Sequence, residues 1–143
     1  MSVQRVFLDS NVIVSGLAYE GNEARVLELA DSGRIRLVIV EHVLVEAQDA
    51  LESKLNRAPG IGDGYMAGLD YELAPVPSPE DLSQAAGVLR DPGDVIILAS
   101  ILAAAPDVAL TGDKDLLTDE VRAIAPTCRC AEYLDRLRPD TDD

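Results

Sequence analysis

The chain has 143 residues, 48% of them apolar, enough for one domain with a full core. Its formal net charge of −14 lacks the basic footprint of an ordinary nucleic-acid binder. The longest apolar run, 95–105, is interrupted by Ser100 and is far too short to span a bilayer. Met1-Ser2-Val3-Gln4-Arg5 leads directly into a strand signal with no signal peptide, so the expected location is the cytoplasm.

Taken in chain order, Val6-Phe7-Leu8 is a short continuous apolar run of the kind a buried parallel strand presents. A short helix is expected over 11–17. Asn22 reads as the N-cap of a helix through Ala30, stopped by Gly33, and 36–40 as the second strand. The run 42–55 is a helix with Leu44, Ala47, Leu51 and Leu55 on one face, and Glu46 at its margin. The stretch 56–77 is ambiguous: Gly60, Gly62, Gly64 and Gly68 favour loop, while Ile61, Tyr65, Met66 and Leu69 fit a short helix. A strand over 73–76 is pushed to a sheet edge by Pro75 and Pro77. Ser78-Pro79-Glu80-Asp81 opens a helix with a cap, a proline and acid in the first turn. The segment 94–104 is apolar all round, which marks a buried helix. A strand over 108–110, a helix over 118–125 stopped by Pro126, a strand over 127–130 and a helix over 131–137 complete the chain. Residues 1–137 are expected to form one domain and 138–143 a disordered acidic tail. Cys128 and Cys130 are expected at alternate positions of one strand, unbonded to each other.

Strands alternating with helices give an α/β fold. The expectation is a three-layer α/β/α sandwich around a central, mostly parallel sheet of four to five strands. In such sheets ligands bind outside the carboxyl ends of the strands. Four acidic stations fall there or near helix N-termini on the same edge: Asp9, Glu46, Asp94 and Asp113. If they converge, they form an oxygen-only pocket suited to Mg²⁺ or Mn²⁺, and such a metal typically serves phosphate-ester chemistry. Each has a duller explanation when taken singly. Asp9-Ser10-Asn11 is also a good strand exit and cap, Glu46 a solvated helix residue, Asp94 a cap, and Asp113 a turn residue beside Gly112, itself a candidate for positive φ.

The set carries more than its parts. Val6-Phe7-Leu8-Asp9-Ser10-Asn11-Val12, Glu46, Asp91-Pro92-Gly93-Asp94 with Leu98-Ala99, and Leu110-Thr111-Gly112-Asp113-Lys114-Asp115-Leu116-Leu117 follow one order and spacing. In this the chain resembles the PIN-domain nucleases, the family that includes VapC-type toxins of bacterial toxin–antitoxin pairs. The resemblance runs from Val6 to Leu134. It departs at Gly93 and Val95, where the family is often more acidic, and this leaves the third ligand open between Asp94 and Asp91. Asp94 is favoured because it stands at the start of the buried helix, over its positive end.

The resemblance implies a PIN-like fold and a metal-dependent endoribonuclease. Asp9, Glu46, Asp94 and Asp113 would be both the catalytic residues and the ligands of Mg²⁺ or Mn²⁺. Ser10, Asn11 and Thr111 would orient ligands or contact substrate. Arg90 and Lys114, with Arg5, Arg34 and Arg36, are the candidate RNA contacts. Implied partners are the RNA substrate, an antitoxin protein of basic character that matches the acidic chain, and a second copy in a homodimer. His42, the only histidine, is assigned no role. Two other classes remain in view. A haloacid-dehalogenase-like phosphatase shares the strand-end Asp, but normally carries a second Asp where this chain has Asn11. A catalytically silent PIN-like binding module would share the fold alone.

Overall fold

The computed structural model describes residues 3–54 and 68–138. In chain order the elements are β1 (Gln4–Leu8), α1 (Ser10–Ala18), α2 (Asn22–Asp31), β2 (Ile35–Ile39), α3 (Glu41–Lys54) and β3 (Tyr71–Leu73). There follow α4 (Pro79–Ala86), α5 (Pro92–Ala104), β4 (Val108–Leu110), a 3₁₀ turn at Lys114–Leu116, α6 (Asp119–Arg122), β5 (Thr127–Cys128) and α7 (Cys130–Leu137). Of the ambiguous stretch 56–77, residues 56–67 lie outside the described residues, and so do residues 139–143 of the expected tail 138–143.

All strand pairings are parallel, in the order β3-β2-β1-β4-β5. The chain first builds outward from β1 to β2 and β3, then returns to lay β4 against the other side of β1. The switch point between β1 and β4 is where a parallel sheet leaves a crevice at its carboxyl edge. Register sets what meets there: Val6 pairs with Val108, Phe7 with Ala109 and Leu8 with Leu110. The next residues on the two strands are Asp9 and Thr111, and Asp9 N–H donates to Leu110 O at 3.1 Å.

The central strands are apolar on both faces because helices cover both. Val6, Phe7, Leu8 and Leu110 are fully buried, and Val108 and Ala109 nearly so. The helices fall into two packing groups: α1 contacts α2 and α3, and α2 contacts α7, while α4 and α5 pack on each other. Helix α5 is held against the core by Ile97, Leu98, Ala99 and Ile101. Its one polar interior residue, Ser100, is satisfied within the helix by donating to Ile96 O at 2.8 Å. At the far edge of the sheet Arg5 forks onto Glu72, at 3.1 Å from Nε and 2.6 Å from Nη2, and also donates to the Ala104 carbonyl that ends α5.

Several local expectations shift. Asn22 is the first helical residue of α2 and caps nothing. The N-cap is Gly21 at φ 144°, which has no side chain to offer. Gly33 stops that helix as expected, at φ 79°, with its N–H on Ala30 O. The buried face of α3 is Val43, Ala47 and Leu51, with Leu44 beside it. The edge strand ends at Leu73, ahead of Pro75 and Pro77, which have no N–H to continue a ladder. The buried helix expected over 94–104 begins two residues earlier, with Pro92 and Gly93 in its first turn. The last strand has only two residues, so Cys130 opens α7 instead of sharing a strand with Cys128; both are buried and unbonded. Helix α6 is a single turn capped by the Thr118 hydroxyl.

Candidate active site

Asp9 leaves β1 as the N-cap of α1, its Oδ1 accepting from Ser10 N–H at 2.8 Å. Its Oδ2 accepts from the Thr111 hydroxyl across the switch point, also at 2.8 Å. The same Thr111 oxygen accepts from Asp113 N–H at 3.0 Å, so one hydroxyl ties two acidic stations together. Asn11, the second residue of α1, accepts from Gly112 N–H through Oδ1 at 3.3 Å. Gly112 is not among the glycines at positive φ, so left-handed backbone does not explain it.

Beyond this frame a cleft of about 250 Å³ opens. Asp9, Glu46, Asp94 and Asp113 all line it, with Ser10, Asn11, Asp91 and His42, and with Ile97 and Leu116 as the apolar wall. Four stations scattered along the chain therefore share one depression. Asp91 joins them, but its carboxylate is engaged: it is the N-cap of α5 and accepts from Asp94 N–H at 3.2 Å. Asp94 stands in the first turn of that helix and is partly buried.

The electrostatics are those of crowded carboxylates. Burial pushes the Asp9 carboxyl above its ordinary range, opposed by the Thr111 and Ser10 hydrogen bonds; the charge of Asp113 adds to the rise, and His42 offsets part of it. Burial, then the charges of Asp113 and Asp91, push Asp94 up to about 6. A cation in the cleft would relieve this repulsion. The donors facing it are oxygens apart from His42, which suits a hard ion. Among the described residues, no three His, Cys, Asp or Glu side chains stand close enough to grip an ion as they are. Ligation here would need side-chain closure or bridging waters, and Mg²⁺ usually keeps several of its waters.

A family model for the PIN domain matches residues 5–115. The chain belongs to the PIN-domain family. PIN domains are nucleases that generally use divalent metal ions, so the protein stands among the hydrolases. Two solved structures share this PIN fold. VapBC2 from Rickettsia felis, bound to a DNA fragment from its promoter, superposes with a TM-score of 0.62 at 13% identity, covering 87% of this chain and 98% of that one. PAE2754 from Pyrobaculum aerophilum superposes with a TM-score of 0.58 at 21% identity, covering 96% of each chain. No curated protein sequence matches. Among the described residues, no helix is long and apolar enough to cross a membrane.

The basic residues fare differently from the acidic ones. Arg5 and Arg36 are bound to Glu72 and precede the carboxyl edge of the sheet, and Arg34 precedes β2; none of them reaches the PIN cleft. Arg90 and Lys114 are exposed neighbours of Asp91 and Asp113 in sequence, yet neither lines the cleft. The residue that sequence reading passed over is His42. Among the described residues it is the only basic side chain lining the cleft, with Nε2 3.5 Å from Glu46 Oε1. The signal for it was available, because positions 42 and 46 are one helical turn apart and so share a face.

Proposed function

We propose that this PIN protein is a Mg²⁺- or Mn²⁺-dependent endoribonuclease, the toxin of a toxin–antitoxin pair. The observation that carries the reading is the lining of one cleft by Asp9, Glu46, Asp94 and Asp113, four carboxylates from distant parts of the chain. These four would hold the ion. When bound, it would neutralise charge on the phosphodiester and lower the pKa of water. The rest of the work falls to the chain. Thr111 and the Ser10 N–H fix both oxygens of Asp9, which keeps it from swinging to solvent. Thr111 also holds the backbone at Asp113, and Asn11 pins Gly112, so the β4 exit is rigid where substrate would arrive. Ile97 and Leu116 form a dry wall that strengthens every charge interaction in the cleft.

The wide spacing of the carboxylates favours one second reading, a catalytically silent PIN module that works by binding a protein. Incubating the purified chain with single-stranded RNA, with and without millimolar Mn²⁺ and beside Asp9→Asn, separates the two. Metal-dependent cleavage lost in the variant supports the nuclease; intact RNA in every lane supports the module. An antitoxin is the partner this reading requires, and the charge of −14 suits one with a basic binding segment. We also propose a homodimer, which light scattering across a concentration series would reveal as a doubled mass.

A further inference from the structure

A second cleft, of about 350 Å³, adjoins the carboxylate cleft and shares with its frame Asn11, Thr111 and Gly112, while none of the four carboxylates lines it. It lies among four elements: α1, the start of α2, the exit of β4 and the start of α7. Asn11 lines both clefts, so a single side chain stands between them. With Oδ1 taken by Gly112 N–H, Asn11 has no partner for its amide donors among the described residues. The remaining polar wall is Thr111, Ser15, Asn22, Glu23 and Arg129, set against apolar Val12 and Ala131. Such a mixture of amide, hydroxyl, acid and guanidinium beside an apolar floor suits a nucleoside, whose base and ribose offer both donors and acceptors.

Arg129 distinguishes this cleft from the first. Arg5 and Arg36 bind Glu72, Arg122 binds Glu132 and Arg138 binds Asp135. Arg129 is exposed and, like Arg25, Arg34, Arg90 and Arg136, makes no ion pair among the described residues, but of these it is the one that lines this cleft. In a chain this acidic, an arginine without an ion pair, lining a cleft next to a carboxylate site, gives a phosphate a cation to find. Glu23 works against an isolated anion there, but not against a nucleoside, to which it offers an acceptor.

We propose that this second cleft is the subsite for the nucleotide adjoining the scissile phosphate, with Arg129 as its cationic contact and Asn11 and Asn22 as polar contacts. This rests on the nuclease reading, because it takes the RNA strand to continue out of the carboxylate cleft. The strand that presents a phosphodiester to Asp9 must lay its next nucleoside somewhere, and the adjoining cleft receives it.

The test compares Arg129→Glu with Arg136→Glu, which makes the same charge change on exposed α7 surface outside the cleft. Asn22→Ala provides a third variant without charge. Steady-state cleavage of a single-stranded oligoribonucleotide in Mn²⁺ should give Arg129→Glu a KM raised about tenfold or more, with kcat within about twofold. Asn22→Ala should raise KM less, and Arg136→Glu should stay near the parent. Equal losses in the two charge reversals would show a net-charge effect and overturn the subsite. An unchanged KM in Arg129→Glu would overturn it too, while leaving the nuclease reading intact. If the parent protein cleaves nothing, anisotropy of the same labelled oligonucleotide decides separately. Weakened binding in Arg129→Glu alone would keep the cleft as a nucleotide-binding site while the nuclease reading falls, and equal binding in all variants would remove the cleft's role as well.

Discussion

Asp94 and Asp91 stand three residues apart and line the same cleft, yet their environments assign them different work. Asp91 spends its carboxylate on capping α5, whereas burial and its acidic neighbours push Asp94 up to about 6, even with the positive end of a helix beneath it. Asp94→Asn should therefore abolish Mn²⁺-dependent RNA cleavage. Asp91→Asn should leave most of it, since asparagine caps a helix about as well; a gel assay of both variants that gave the reverse order would reassign the ligand. The raised group also makes a stability prediction. A carboxyl whose folded pKa lies above its unfolded one stabilises the fold fully below the unfolded value, and loses that contribution as pH rises through the folded one. The metal-free protein should thus lose stability between about pH 4 and about pH 6 from this group, and Asp94→Asn should flatten that slope in urea titrations. Thr111 acts through Asp9: its hydroxyl is one of the two hydrogen bonds that hold the buried carboxyl down. Thr111→Val should lower cleavage by about 10- to 100-fold and move the acid limb of the pH–rate profile upward.

Among the elements, the α1–α2 contact sets how rigidly the Asp9 strand exit is held. Gly16 makes that contact possible. A Cβ there would lie 2.6 Å from Leu27 Cδ1 and 3.0 Å from the Glu23 carbonyl oxygen. The leucine tip can turn aside, but the carbonyl belongs to helix backbone and cannot. Gly16→Ala should therefore cost about 1–3 kcal/mol despite the better helix propensity of alanine, which is worth about 1 kcal/mol. Chemical denaturation measures the difference, and a stabilised variant would mean that the two helices separate more easily than their packing suggests. The same geometry links stability to function, because α1 carries Asn11 between the two clefts.

For the whole molecule, the acidic balance and the cleft predict one response to metal. An ion that binds only the folded chain stabilises it by mass action, about 2.7 kcal/mol at a hundredfold excess over Kd. For a domain of this size that corresponds to a melting temperature raised by roughly 5–10 °C. Mn²⁺ or Mg²⁺ should produce such a shift in scanning calorimetry, and Asp9→Asn should shrink it. A melting temperature indifferent to both ions at millimolar levels would count against the metal site.

Much of this PIN domain was legible in the chain because its signals are local. The continuous apolar runs at 6–8 and 108–110, the Ser78-Pro79 cap and the Gly33 stop each depend on neighbours a few residues away, and each falls in or beside the element it announced. The carboxylate motifs were legible as a family pattern. The sequence could not say what stands opposite what. Register places Thr111 beside Asp9, and only the switch in strand order brings β1 and β4 together. His42 joined the cleft because α3 turns that face toward it, whereas Arg5 left the list of RNA contacts because it is paired with Glu72 away from the carboxyl edge of the sheet. Asn22 failed as a cap for a local reason, since Gly21 already held the capping position with its backbone. Composition and short-range pattern determined which elements form; long-range packing decided which side chains share a site, because that depends on the path of the sheet and not on distance along the chain.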